Sequence, residues 1–351
     1  MSEFSSIEME DAKIVFDSLK LDCIFPPQTR WLVTGAGGFL GSQILGVLYE
    51  AKRQGFDCEI VAMDSNIRGS VREWYFAGAQ VAVHDVAQPW PDLGEFTHIL
   101  HLASIASPVF YRKFPLETLQ SNYAGTLNAL EQAKKQKANL LLMSSSEIYG
   151  DPAADKIPTP ESYWGNVSSI GPRACYDEGK RIMETLGWIY KNQNEMNISI
   201  ARPFNFYGPG MRLDDGRVLP DMFNAIVSGS DIVIYSDGKP TRSFCYTSDA
   251  LGGLFRMVLS KKTWKLYNIG NSETEITIGD LAKMTGAIAH SAGWEGRIRF
   301  ELPNEYDYLV NNPNRRLPNT ELIKSELSWQ AKVGLDVGIS RSIAHFMETA
   351  R

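Results

Sequence analysis

Residues 31–47 read WLVTGAGGFLGSQILGV: an apolar run, a glycine turn, and a second apolar run with helical spacing. Gly35, Gly38 and Gly41 form G-x-x-G-x-x-G directly after the predicted strand. Strand, glycine turn and helix in that order make the first βα unit of a doubly wound sheet. The glycines permit a tight turn, bring backbone N–H groups close to a diphosphate, and let the helix pack against the strand. The next apolar run, CEIVAMD, ends in Asp64, about 20 residues on, where a carboxylate accepts hydrogen bonds from an adenosine ribose diol. Asp64 would repel a 2′-phosphate, so the pattern favours NAD over NADP; Arg68, close by, argues the other way.

Three more buried runs follow, in THILHLA, ANLLLMSSSE and NISIARPFN, with helical patterns such as PLETLQSNYAGTLNALEQAKKQ between them. Short apolar strands alternating with helices imply an α/β fold, a Rossmann-type parallel sheet covered on both faces. Beyond about residue 205 the pattern loosens into short elements broken by YGPG, SDGKP and NIGNSE. We expect an amphipathic N-terminal helix within residues 1–28, an NAD-binding domain over 29–204, and a smaller nucleotide-sugar-binding lobe over 205–351 interleaved with it. The 351 residues carry a net charge of −6 with no Lys/Arg-rich run, which speaks against a nucleic-acid partner. No apolar run approaches the length of a membrane span, and the acidic start lacks the apolar core of a signal peptide. The four cysteines are scattered without a CxxC pair, which argues against a zinc site and fits a reducing cytoplasm.

The chemistry is suggested by SSIGPRACYDEGKR, residues 168–181. Tyr176 and Lys180 stand four residues apart at the start of a predicted helix, so their side chains share a face. A tyrosine acting as a base near neutrality must come down by about 3 pH units, or about 4 kcal/mol. A neighbouring ammonium and a cationic nicotinamide can supply that. A second Y-x-x-x-K, Tyr235 to Lys239, lies in a Gly-Pro turn and need not share a face. SSSEIYG places Ser145, Ser146 and Glu147 at the end of the fourth strand, where parallel strands present residues to a ligand crevice.

TGAGGFLG with CYDEGK resembles the extended short-chain dehydrogenase/reductase family that modifies nucleotide sugars. HLASIASP, LLLMSSSEIYGDP, RPFNFYGPGMRLDDGRV and RSFCYTSDAL are similar to its UDP-glucuronate decarboxylase branch. The resemblance covers most of the chain from about residue 30 and is strongest over 84–218. It implies that Tyr176 takes the proton of the sugar 4-hydroxyl while NAD oxidises C4. Lys180 lowers the Tyr176 pKa and holds the nicotinamide ribose, and Ser145 hydrogen-bonds the C4 oxygen. The C4 ketone makes the C6 carboxylate a β-keto acid, which loses CO2 before NADH reduces C4 again. Ser146 stands where dehydratases carry the acid that expels a 6-hydroxyl, and Glu147 is the candidate for the C5 proton. The implied cofactor-binding set is Gly35, Gly38, Phe39, Leu40, Gly41, Asp64, Asp85, Val86, Ala103 and Lys180. The implied substrate set is Tyr111, Arg173 toward the sugar carboxylate, Arg242 toward carboxylate or diphosphate, Asn205, and Arg217 toward the nucleotide. Arg315 and Arg316 in PNRRLP read equally well as surface charges.

Two departures keep other outcomes open. The branch commonly has a lysine where this chain has Gln120, and the tail DYLVNNPNRRLPNTELIKSELSW is as close to epimerases and dehydratases of surface-polysaccharide pathways. The expected product is UDP-xylose. The alternatives are 4,6-dehydration, C4 epimerisation or net C4 oxidation, and more remotely a non-catalytic NAD-binding regulator. The family also implies a cytoplasmic homodimer joined through the helices containing residues 116–135 and 175–193.

Overall fold

Runs of β-branched and aliphatic residues too short to be helices pair side by side, because each buries both faces. In a computed structural model, which describes residues 5–22, 25–67, 78–301 and 314–350, they form a seven-stranded sheet. The sequential strands are β1 (Gln28–Thr34), β2 (Asp57–Asp64), β3 (Gln80–Val83), β4 (His98–His101), β5 (Asn139–Met143) and β6 (Ile198–Pro203). A seventh, Trp264–Ile269, comes from the second half of the chain. The spatial order is Trp264–Ile269, β6, β5, β4, β1, β2, β3, and every pairing is parallel. The strand order reverses between β1 and β4, and a ligand crevice opens at the carboxyl ends of strands at such a point.

Five of the seven strands were foreseen. β3 escaped notice because it is a half-exposed edge strand of four residues. Trp264–Ile269 lies in the loosened half and finds its partner, β6, some sixty residues earlier.

The helices are α1 (Ser6–Leu21), α2 (Phe39–Arg53), α3 (Pro108–Lys113), α4 (Pro115–Gln136) and α5 (Ala174–Asn194), followed by several in the second half. α1 begins with a capping box between Ser5 and Glu8 and packs against α2 and the helix Thr247–Leu259. Its buried face includes two carboxylates. Glu8 accepts from Gln43 Nε2 at 2.8 Å, and Asp11 accepts from Tyr246 Oη at 2.6 Å and Arg341 Nη2 at 2.8 Å.

The second half builds small sheets around its own apolar cluster, which includes Leu219, Phe223, Ile234, Leu281, Ile339 and Phe346. In one of them, Thr241–Ser243 lies between Glu275–Thr277 and Arg315–Arg316. Among the described residues, no helix is long and apolar enough to cross a membrane.

Candidate active site

Two adjoining cavities open at the carboxyl ends of the strands. Every site residue expected above lines one or both. The first cavity runs from the glycine turn past Asp64, Asp85, Val86 and Ala103 to Ser145, Ser146, Tyr176 and Lys180. The second extends from Tyr111, Glu147 and Arg173 past Asn205, Arg217 and Arg242 to Tyr235. Arg68 lies outside the described residues.

The glycine turn is tight for internal reasons at two positions and open at the third. Gly35 has φ +67°, and a Cβ there would lie 2.8 Å from the Ala103 backbone. A Cβ at Gly41 would lie 2.2 Å from the Gly35 carbonyl oxygen. At Gly38 a Cβ would meet the Gly35 oxygen at 3.1 Å and nothing else within 4 Å. Gly38 is also the N-cap of α2, and no side chain caps that helix. The first N–H groups of a 15-residue helix therefore face the crevice beside open space, which suits a diphosphate. Asp64 accepts hydrogen bonds from the N–H of Gly37 at 3.0 Å and of Asn66 at 2.8 Å. A carboxylate has about four acceptor sites, so two remain for a diol. Asp85 is held similarly, Oδ1 accepting from Ala87 N–H at 3.0 Å. These residues fit a dinucleotide.

Tyr176 and Lys180 occupy the first turns of α5 and are both buried. The Tyr176 ring stacks on Tyr111, with centroids 5.4 Å apart and planes 15° from parallel. Lys180 Nζ stands 5.6 Å from the Tyr176 ring centroid and donates to the Met143 carbonyl at the end of β5, 2.8 Å away. Burial alone brings the lysine down to about 7. Burial pushes Tyr176 up to about 12, and the hydrogen bond with Ser145 pulls against it. The sequence expectation was that Lys180 lowers Tyr176. In the protein alone burial dominates and holds the phenol up, while the Lys180 ammonium is directed to a backbone carbonyl.

Glu147 lies in a 3₁₀ turn, Ser146–Tyr149, whose backbone is held by Ser145 Oγ accepting from Glu147 N–H at 3.1 Å. Its carboxylate meets two arginines. Arg316 donates from both Nη atoms, at 2.5 and 2.7 Å, and Arg173 donates from Nη2 at 2.5 Å. Burial would raise Glu147, but Arg316 and Arg173 overturn that and hold it at about 2. As found, it is an anion that takes up no proton near neutrality. Arg242 stands next to Arg316 in register across neighbouring strands. Its Nη1 donates to the Thr241 carbonyl at 2.7 Å, and burial followed by Arg316 brings it down to about 10. Asn205 has φ +42°, and its Nδ2 donates to the Ser243 carbonyl at 2.8 Å. Arg217 pairs with Asp215.

Arg316 is the residue that sequence reasoning underrated. It is 6% exposed, and its partner is 169 positions away.

The model of the NAD dependent epimerase/dehydratase family matches residues 31–270. The chain belongs to that family. UDP-glucuronic acid decarboxylase 3 of Arabidopsis thaliana is 39% identical over 317 residues, 89% of this chain and 87% of that one. UDP-glucuronic acid decarboxylase 1 of Xenopus tropicalis is 37% identical over 321 residues, 90% of this chain and 72% of that one. Among solved structures, UDP-glucose 4-epimerase of Thermotoga maritima with UDP-glucose superposes with a TM-score of 0.80 at 22% identity, over 92% of this chain and all of that one. UDP-glucuronic acid 4-epimerase of Bacillus cereus, in complex with UDP-glucuronic acid and NAD, does so with 0.72 at 23%, over 91% and 99%. Those two share the epimerase/dehydratase fold. The cofactor of this family is NAD, and the glycine turn with Asp64 is where the chain fits it.

Proposed function

We propose that the chain is an NAD-dependent UDP-glucuronate decarboxylase, forming UDP-xylose and CO2. The observation that carries this reading is the gathering of Arg173, Arg242 and Arg316 around Glu147, one step along the cavity from Tyr176. A neutral hexose needs no such cluster, whereas a 6-carboxylate does, and the planar arginine fork suits it. The names of the relatives support the same reading. Gln120 lines the neighbouring cavity where the branch commonly has a lysine, and the three arginines lessen the weight of that missing cation.

On this reading the residues divide the work. Gly35, Gly38 and Gly41 with the α2 N-terminus hold the diphosphate of NAD, Phe39 and Leu40 flank it, and Asp64 takes the adenosine ribose. Asp85, Val86 and Ala103 line the same side, and Lys180 holds the second ribose. NAD, when bound, supplies a reversible two-electron oxidant for the sugar C4. Tyr176, as the phenolate that the cationic nicotinamide beside it would favour, accepts the 4-hydroxyl proton, and Ser145 hydrogen-bonds the C4 oxygen. With C4 as a ketone, the C5–C6 bond breaks, CO2 leaves, and the electron pair is delocalised onto the C4 oxygen, beside Ser145 and Tyr176. C5 then takes a proton, and C4 is reduced again by the hydride that the cofactor took from it while Tyr176 returns its proton to the C4 oxygen, which gives UDP-xylose with no net change in the cofactor. Ser146 offers no strong acid to expel a 6-hydroxyl, which disfavours dehydration. Arg173, Arg242 and Arg316 bind the carboxylate, and Tyr111, Asn205 and Arg217 line the path of the nucleotide sugar.

We divide the chain into an N-terminal extension (1–28), a dinucleotide-binding domain (29–204) and an interleaved sugar-binding lobe (205–351). We also infer a homodimer through α4 and α5, whose outer faces expose Leu116 (71%), Tyr123 (47%) and Trp188 (60%). Mass spectrometry of the holoenzyme with UDP-glucuronate tests the activity. Loss of the mass of CO2 without net NADH, with one deuterium at C5 in heavy water, is expected. An unchanged UDP-glucuronate, with water lost from or C4 inverted in an uncharged nucleotide hexose, overturns it.

A further inference from the structure

The arginine cluster faces two carboxylates, and only Glu147 has been given a part. The other is Asp177, next to Tyr176 in α5. Its side chain is 10% exposed, and its Oδ2 stands 3.6 Å from Arg173 Nε, an ion pair too long for a hydrogen bond. Among the described residues, the buried Arg173 Nε and Asp177 Oδ1 have no hydrogen-bond partner. The 3.6 Å separation is that of Oδ2, the other oxygen of the same carboxylate; a buried N–H and a buried carboxylate oxygen without hydrogen bonds are costly, and the ion pair calls for a state in which it closes to hydrogen-bond distance. The far end of the same guanidinium is engaged, since Nη2 donates to Glu147 Oε2 at 2.5 Å. One arginine thus stands between two carboxylates, bonded to one and within a small rotation of the other.

The charged and titratable groups around Asp177 come from every side. They are Glu147 from the 3₁₀ turn, Arg316 from its strand, Tyr111 from α3, and Arg173, Cys175 and Tyr176 from its own segment. Burial, then Glu147, push the Asp177 carboxyl up to about 7, with Arg173 and Arg316 pulling it down. Near neutrality it is divided between its two forms.

A sugar carboxylate entering the cluster competes with Glu147 for its arginines. Arg316 grips Glu147 with two N–H groups and Arg173 with one, so Arg173 is the one more easily displaced. Arginine has five donors in a rigid fork, so Arg173 can turn its Nε edge to Asp177 and still present Nη groups to the newcomer. We propose that Asp177 is a positioning residue that takes Arg173 over from Glu147 when the anionic sugar binds, freeing for the proton required at C5 the acceptor site on Glu147 Oε2 that Arg173 held, while Arg316 keeps its bonds to both oxygens. The proposal rests on the decarboxylase reading. Glu147, left with one arginine, takes a proton from solvent and gives it to C5. There it bonds with the electron pair left by departing CO2, and Glu147 returns to its carboxylate. Ionised Asp177 holds Arg173 much more strongly than its protonated form, so activity falls as pH falls through its titration.

The test is the pH dependence of kcat/KM for UDP-glucuronate, measured on the holoenzyme as wild type, Asp177→Asn and Asp177→Glu. The wild type should lose kcat/KM below about pH 7. Asp177→Asn should lower kcat about tenfold, a usual coupling between neighbouring groups, move KM less than about threefold, and keep only the shallower acid limb of the Tyr176 base, one proton fewer than the wild type. Asp177→Glu should keep a displaced limb and recover much of kcat. A structural role would lower activity without changing the steepness of the limb; Tyr176 as base accounts for one proton of it, and the second cannot come from Lys180, whose loss of charge acts on the alkaline side. Wild-type turnover with the same limb and kcat in Asp177→Asn overturns the hand-over alone. If Asp177→Asn does not fold, an Asp177→Glu profile identical to wild type overturns it. A wild type that leaves UDP-glucuronate intact overturns the decarboxylase reading, and the hand-over with it.

Discussion

Replacing Glu147 by glutamine changes one oxygen for an amide and leaves Arg173, Arg242 and Arg316 facing one another. Its effect on stability follows from the ion cluster. The carboxyl is held at about 2 in the folded protein against an ordinary 4.5. At about 1.36 kcal/mol per pH unit, that difference amounts to about 3 kcal/mol of stability in the ionised form. The side chain is 18% exposed, so solvent screening takes little from it. Burial works against the ion, but two arginines with three short hydrogen bonds outweigh it, and removing one member of such a cluster typically costs about 3–5 kcal/mol. One relief opposes the loss, because Glu147 is among the groups that push Asp177 up. We therefore expect Glu147→Gln to destabilise by about 3 kcal/mol at pH 7.

The sign with pH follows from the depressed value. This stability is fully present above pH 4.5 and disappears as pH falls through 2. Urea unfolding followed by tryptophan fluorescence, on both proteins saturated with NAD, should give a difference of about 3 kcal/mol at pH 7, shrinking to about 2 at pH 3.5. A difference under about 1 kcal/mol at pH 7, or one that grows on acidification, refutes the claim that the pairs hold Glu147 ionised.

Tyr176→Phe keeps the ring that stacks on Tyr111 and removes the phenol. Turnover should fall at least ~10²-fold with unchanged NAD content on denaturation, and near-normal turnover would remove the tyrosine from its role. Gly41→Ala sets a Cβ 2.2 Å from the Gly35 oxygen and 2.7 Å from Ala36 Cα, both backbone atoms that cannot yield without moving the turn. The variant should copurify without NAD and lose about 1–3 kcal/mol or more; full NAD content would show that the turn tolerates the shift. Light scattering at micromolar concentration should give the mass of a dimer for the native chain and of a monomer for Trp188→Glu; a monomeric native chain excludes the α4–α5 interface.

The dinucleotide end of the site was legible because its signals are local. Gly35, Gly38 and Gly41 fall between one strand and one helix, Asp64 ends the next strand, and Tyr176 and Lys180 share one helical face. The anion end was read only in part. Arg173 and Arg242 were picked out by resemblance, but Arg316 was not separable from Arg315, its neighbour, which is exposed and pairs with Glu275. What distinguishes them is a two-residue strand that pairs with Thr241–Arg242, and no periodicity marks so short an element. Two arginines side by side across strands repel, and Glu147, bonded to Arg316 and acting on Arg242, offsets that repulsion. The buried acids of α1 were hidden for the same reason. Glu8 and Asp11 look like the polar face of an amphipathic helix, and their partners Gln43, Tyr246 and Arg341 are supplied by remote segments.

The site separates two kinds of electrostatics. Around Tyr176, Lys180 and Ser145, burial favours the neutral forms. At Glu147, Arg316 and Arg173 favour the ion. The proposed reaction moves negative charge from the second region to the first, out of the carboxylate and onto the C4 oxygen. Arginines that grip the carboxylate therefore stabilise the ground state more than the transition state, and such binding lowers KM without raising kcat. Glu147 tempers that grip, because it already occupies the donors of Arg316 and Arg173 and the substrate must compete for them. The cost falls on binding and is compensated elsewhere by the nucleotide, while the barrier to losing CO2 is spared. Arg242→Ala should accordingly weaken substrate binding while leaving the committed step nearly intact. A variant in which kcat collapses and KM holds would place Arg242 at the C4 oxygen instead.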